Sequence, residues 1–205
     1  MTLTEARKPL QQRGVDRVEA VLDASRKVLA QEGVAGFSIP VIAERLGYTR
    51  ASIYNFFPTP YAILNEIARR DLVELEQRIV TFLGSRPEAN WKDHVRGSVH
   101  TAAKFYEERP VARMLILGGA LTDEGYRALA LTVRHLGAAA QRMFSALAPH
   151  PIPQVPVDVS TLAVDLGTTC LRQSVLLHGK ITPAYEEEAV RVMVGYLTPY
   201  FEGRG

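Results

Sequence analysis

Apolar residues recur at spacings of three and four along nearly the whole of this 205-residue chain, interrupted mainly by glycine and proline. That period places one face of a helix against a core, whereas the strict alternation of a half-buried strand is nowhere convincing. The chain is therefore expected to be all-α. The punctuation sets the helix lengths. Over residues 16–31, Val18, Val21, Leu22, Ser25, Val28 and Leu29 share a side, and Gly33 closes the helix. Ser38 reads as the cap of a short second helix with Pro40 in its first turn, where a missing N–H costs nothing, and Gly47 as its stop. Thr49 caps a third helix reaching about Phe57, before Pro58-Thr59-Pro60.

Beyond Pro60 the helices lengthen. They are expected over about 60–83 and 91–108, from Arg109-Pro110 to the weak point "GGA" at Gly118–Ala120, and over 123–148. After the proline-rich "PHPIPQVPVD" come two more, over 157–178 and from the cap Thr182 to about Phe201. That makes about nine helices. The change of scale divides the chain into a three-helix unit, 12–64, and a larger helical unit, 65–205.

Several functions are disfavoured. The five histidines are scattered, and His94 and His100, six apart, leave different faces of a helix. No His-Glu-x-x-His, glycine-rich phosphate loop or nucleophile elbow is present. The protein is not expected to be an enzyme or to carry a cofactor or a metal. A single cysteine, Cys170, excludes an internal disulfide framework and suits a reducing compartment. The longest apolar run, near residues 111–121, is too short to cross a bilayer and contains Arg113, and "MTLTEARKPLQQRG" lacks a secretory core. A cytoplasmic protein without a membrane partner is expected. A formal charge of +2 means that any polyanionic partner must be met by a local patch.

The stretch "IPVIAERLGYTRASIYNFFPTP", residues 39–60, carries such a possibility. It lays out a helix, a glycine-containing turn and a second helix, the order of a helix-turn-helix. Ala43 is small where the helices cross, and Ile53 and Phe57 face inward. Arg50, Ala51, Ser52, Tyr54 and Asn55 remain outside as short or hydrogen-bonding groups around one long cation. A face meant for base edges in a major groove needs such residues. A compact helical corner gives the same spacing, so from spacing alone both readings stand.

The run "VLDASRKVLAQEGVAGFSIPVIAERLGYTRASIYNFFPTPYAIL" closely resembles the N-terminal domain of the TetR (tetracycline-repressor) family of bacterial transcription regulators. The resemblance covers about a third of the chain, and the later helices agree in number, length and order. It implies a homodimer placing two recognition helices on a double-stranded, pseudo-palindromic operator, commonly as a repressor. Thr49 and Ser38 would then meet phosphate at helix starts, Arg50, Ala51, Ser52 and Asn55 would approach bases, and Tyr54 would contact phosphate. Two positions depart from the family pattern: Pro60 stands where a phosphate-gripping lysine is usual, and Asn55 where an aromatic or histidine is usual. Neither removes the fold.

The resemblance also implies a small-molecule effector held among the middle helices, with Phe105, Tyr106, Met114, Leu117, Tyr126, Met143 and Gln173 as candidate lining and Arg127 and His135 as candidate anion contacts. The last two helices each carry more than one apolar face. Leu162, Leu166 and Thr169, with Val190, Val194, Leu197 and Phe201, are candidates for a dimer interface of four helices. The alternative is a helical small-molecule-binding or interaction module that does not bind DNA.

Overall fold

The structure, a computed structural model, describes residue 6 and residues 12–86, 89–118, 134, 137–138, 141–142 and 157–202. These form α1 (Gln12–Glu32), α2 (Ile39–Leu46), α3 (Arg50–Tyr54), α4 (Pro60–Gly84), α5 (Trp91–Glu108), α6 (Pro110–Ala112), α7 (Val159–His178) and α8 (Pro183–Phe201). α6 runs directly into a π-helical turn, Arg113–Leu117. No strand occurs among the described residues. The expected helix over 123–148 and the proline-rich loop lie almost wholly outside them.

Local chemistry sets the helix ends. The Ser38 hydroxyl accepts from Val41 N at 3.4 Å, the Asn90 amide oxygen from Asp93 N at 3.0 Å, and the Asp158 carboxylate from Thr161 N at 3.0 Å. Each satisfies an N–H that the helix itself leaves free. Gly47 closes α2 at φ 62°, a left-handed conformation that costs a residue with a Cβ about 1–2 kcal/mol. α3 is shorter than its sequence pattern suggests. It ends at Tyr54 because the chain must turn at once to bring Phe57 into the core, and Pro58 disfavours helical backbone at that position.

Two apolar cores result. The first gathers Val21 and Leu29 of α1, Ile42 of α2, Ile53 and Phe57, with Ile63 and Ile67 from the start of α4 and Val111 from α6. The second joins Leu72 and Leu75 of α4, Val95, Phe105 and Tyr106 of α5, Ile116 and Leu117 of the π turn, and the inner faces of α7 and α8. Burying side chains of this size stabilises by roughly 1.5–3 kcal/mol each. α4 and the α6 segment therefore enter both cores.

α7 and α8 form a close antiparallel pair. Gly179 turns the chain at φ 70°, and the buried Ser174 hydroxyl donates to Lys180 O at 3.0 Å and accepts from Thr182 N at 2.9 Å. At Gly167 an added Cβ would lie 2.5 Å from Met193 Sδ, so the absence of a side chain there sets how near the two helices approach.

Candidate nucleic-acid interface and the interior behind it

The outer face of α3 gathers the residues proposed for DNA. Thr49, Arg50, Ala51, Tyr54 and Asn55 are exposed, while Ser52 and Ser38 are half-buried. Thr49 Oγ1 accepts from Ser52 N at 3.3 Å, and the Ser52 hydroxyl donates to Thr49 O at 2.8 Å. The first turn is thereby held by its own side chains, with Arg50 and Ala51 projecting outward between them. Ile53 and Phe57 are fully buried beneath, which fixes the rotation of α3 about its axis. Neighbouring cations are engaged elsewhere: Arg45 pairs with Glu32 and Gln31, and the Arg17 guanidinium lies 5.1 Å from the centroid of the Tyr48 ring. Pro60 opens α4 after the cap Thr59, whose hydroxyl accepts from Ala62 N at 3.2 Å.

Behind this face, charged side chains join α1 to α4. Arg26 donates from both Nη atoms to the Asp71 carboxylate, and Arg70 does the same to Glu19, at 2.6 and 2.8 Å. Arg70 also bonds Glu66 at 2.9 Å. The hydrogen bonds from Arg70, more than its charge, hold the Glu19 carboxyl below its ordinary range. These pairings span 45 and 51 residues of sequence, so no local motif announces them.

Among the candidate effector residues, Phe105, Tyr106 and Leu117 are buried in the second core and Met114 is half-buried beside them. Tyr126, Met143, Arg127 and His135 lie outside the described residues. Gln173 is exposed on α7, contrary to the expectation for a pocket residue. The next position back, about 100° round the helix, is the one turned inward. There Arg172 buries Nε and Nη2. Burial, above all, and then the Asp71 carboxylate push the Tyr106 hydroxyl well above its ordinary pKa, while Arg172 pulls it the other way. Arg172, Asp71 and Tyr106 thus form an electrostatically linked group that sequence patterning does not reveal.

The dimer candidates on α8 lie largely inside the protomer. Val190, Leu197 and Phe201 are buried within the protomer itself, and Phe201 stacks on Trp91 with ring centroids 4.7 Å apart. Val194 is half-buried against the same core. Toward its C-terminal end the exposed positions of α8 are Arg191, Gly195 and Pro199, with Val192 half-buried. On α7, Leu162 and Leu166 are half-buried and Thr169 is exposed, in line with exposed Gln173 and Leu176.

The family pattern of bacterial regulatory proteins of the tetR family matches residues 21–67, which contain the whole turn between α2 and α3. That segment is a tetR-family N-terminal domain. Solved TetR-family regulators share its fold well beyond that segment. One from Streptomyces coelicolor is 21% identical, with a TM-score of 0.61 over 90% of this chain and 97% of its own. Another, from Pectobacterium atrosepticum, is 17% identical, with a TM-score of 0.67 over 94% and 98%. The multidrug binding protein EbrR, solved with imidazole, is 19% identical, with a TM-score of 0.64 over 88% and 94%. No curated protein matches the chain. The matched segment, together with this fold, supports a DNA-binding transcription regulator. No helix among its described residues is long and apolar enough to cross a membrane.

Proposed function

We propose that the regulator is a homodimer that represses by seating two copies of α3 in successive major grooves of a pseudo-palindromic operator and lets go when a small molecule occupies its second core. The observation that carries the reading is the division of α3. Ile53 is buried and, with Phe57 just beyond the helix, anchors it. Arg50, Ala51, Tyr54 and Asn55 stand exposed together on the other side. Arg50 suits a guanine edge, Asn55 an adenine edge and Ala51 a thymine methyl, while Tyr54 and Thr49 suit phosphate.

Dimerisation is supported by a continuous stripe on α7. Leu162, Leu166, Thr169, Gln173 and Leu176 recur at four and three, the spacing at which helices pack side by side. Leu176 is 59% exposed in the single protomer. On α8 an added Cβ at Gly195 would meet nothing within 4 Å, so its own protomer does not require a glycine there. The bare site suits close approach of a second backbone. Two such protomers would present their α3 helices about 34 Å apart, one turn of duplex.

Effector response is supported by the two elements that enter both cores. Val111 belongs to the first core, and Ile116 and Leu117, five and six residues later, to the second. A ligand that moves the π turn would therefore shift a residue packed beneath the DNA-reading unit, and its differential affinity for the two arrangements would set the response. EbrR, a multidrug binding protein of the same fold, lends this reading further support.

The direct test is retardation of a labelled fragment from the gene's own promoter region. Specific binding that weakens steeply with added salt is expected. Absence of any salt-sensitive, sequence-selective complex, with that fragment and after selection from random duplexes, would reject the reading.

A further inference from the structure

Arg172 leaves the flank of α7 that also carries half-buried Val164, Thr168 and Val175. Its Nε and Nη2 are enclosed without a hydrogen-bond partner. The preceding residue, Leu171, shares one apolar cluster with Tyr106, Ile116 and Leu117, and α7 packs directly on the π turn. A guanidinium carries its charge into whatever surroundings it occupies, and enclosing its donors without partners is unfavourable. The acid whose field reaches the same tyrosine is Asp71. Asp71 is already committed, because each of its oxygens receives an Nη of Arg26. Among the described residues, then, this half-buried guanidinium has no acceptor for two enclosed nitrogens.

Among the described residues His94 also encloses nitrogens without partners, and it calls for a different account. A histidine can remain a neutral ring. This one is 2% exposed and meets the edge of Phe82 at 6.4 Å between centroids, an apolar setting that invites no ion.

We propose that Arg172 is the receiving group for an anionic effector, a monocarboxylate with an apolar body. This rests on the reading of the second core as the effector site and names the ligand class that core takes. A planar fork of donors matches a carboxylate in two parallel hydrogen bonds, and one cation in apolar surroundings balances one negative charge. The ligand would then fill the unfilled donors, and its body would press on the π turn that leads to Val111.

The test uses the full-length protein without DNA, so that it is independent of operator binding. Hexanoate, octanoate and benzoate are titrated calorimetrically, each beside its neutral amide, with octylamine as the cationic counterpart of octanoate. The wild type is expected to bind at least one acid tenfold or more tightly than its amide and to ignore the amine. Arg172→Gln should abolish that preference, Arg172→Lys should retain part of it, and Lys180→Gln, which removes an exposed charge from the turn after α7, should leave it intact. Should Arg172→Gln fail to fold, the lysine variant decides through the size of its remaining preference. The proposal is overturned if no acid is preferred by the wild type, or if the preference survives unchanged without the guanidinium. Loss of acid binding with promoter binding intact defeats this inference alone. Acid binding without promoter binding defeats the operator reading alone.

Discussion

The Asp71 carboxylate accepts both Nη atoms of Arg26, at 3.0 and 2.7 Å, and this pair fastens α1 to α4 where α4 passes from one core into the other. Ile63 and Ile67, before it, pack in the first core, and Leu72 and Leu75, after it, pack in the second. Motion of α4 is thereby delivered to α1 through a fixed contact.

The pair is asymmetric, with side chains 29% exposed for Arg26 and 2% for Asp71. Arg26→Ala strands a buried carboxylate and is expected to cost about 3 kcal/mol. Asp71→Ala leaves a cation that water can reach and should cost about 1 kcal/mol. Urea unfolding of the two variants checks the order, and equal losses would show that burial does not govern this contact.

Arg50→Ala should weaken binding to the cognate operator by about 1–3 kcal/mol and relax preference at one base position, with the melting temperature unchanged. Tyr54→Phe should weaken all sequences alike, because a phosphate contact carries no base information. Competition binding against single-base operator variants separates the two patterns.

Substitutions on α7 and α8 should divide by the face they occupy. Leu176→Glu, at an exposed position, should convert a dimer to a monomer in sedimentation while leaving helix content intact. Leu197→Ala, in the protomer core, should instead cost about 2–5 kcal/mol of stability. A monodisperse dimer in the Leu176→Glu variant would place the interface elsewhere.

Acid should loosen the contact between α1 and α4 and the cap of α7. Hydrogen bonds from Arg70 keep the Glu19 pKa under its ordinary 4.5, and bonds from Thr161 keep that of Asp158 under 3.8. A carboxyl with a lowered folded pKa binds protons more readily when unfolded. Its contribution is therefore complete above its unfolded value and is lost as pH falls through the folded one. Stability measured by urea between pH 6 and pH 3 should decline toward acid, and Glu19→Gln should make that decline shallower.

Legibility in the sequence followed the range of the interactions. The turn around Gly47 and the outward residues of α3 could be read because caps, a left-handed glycine and two buried hydrophobes act within a few residues of one another. The stripe on α7 could also be read, since Leu162, Leu166 and Leu176 announce it. On α8 the line of Val190, Leu197 and Phe201 stood out by its apolar residues, and packing places it in the protomer's own interior. Adjacent Arg172 and Gln173 are both polar, and only the packing of α7 decides which turns inward. The bond from Arg26 to Asp71 depends on how α1 lies across α4, which neither local pattern states.

The π turn at Arg113–Leu117 holds more backbone per revolution than the α-helix it continues. Each residue of an α-helix advances the chain by about 100° of rotation. Tightening the turn by a single residue would swing Val111 and Leu117 relative to each other by about that angle, and both cores would have to repack around them. The segment between the cores is thus wound with spare length, a ratchet with one tooth in reserve.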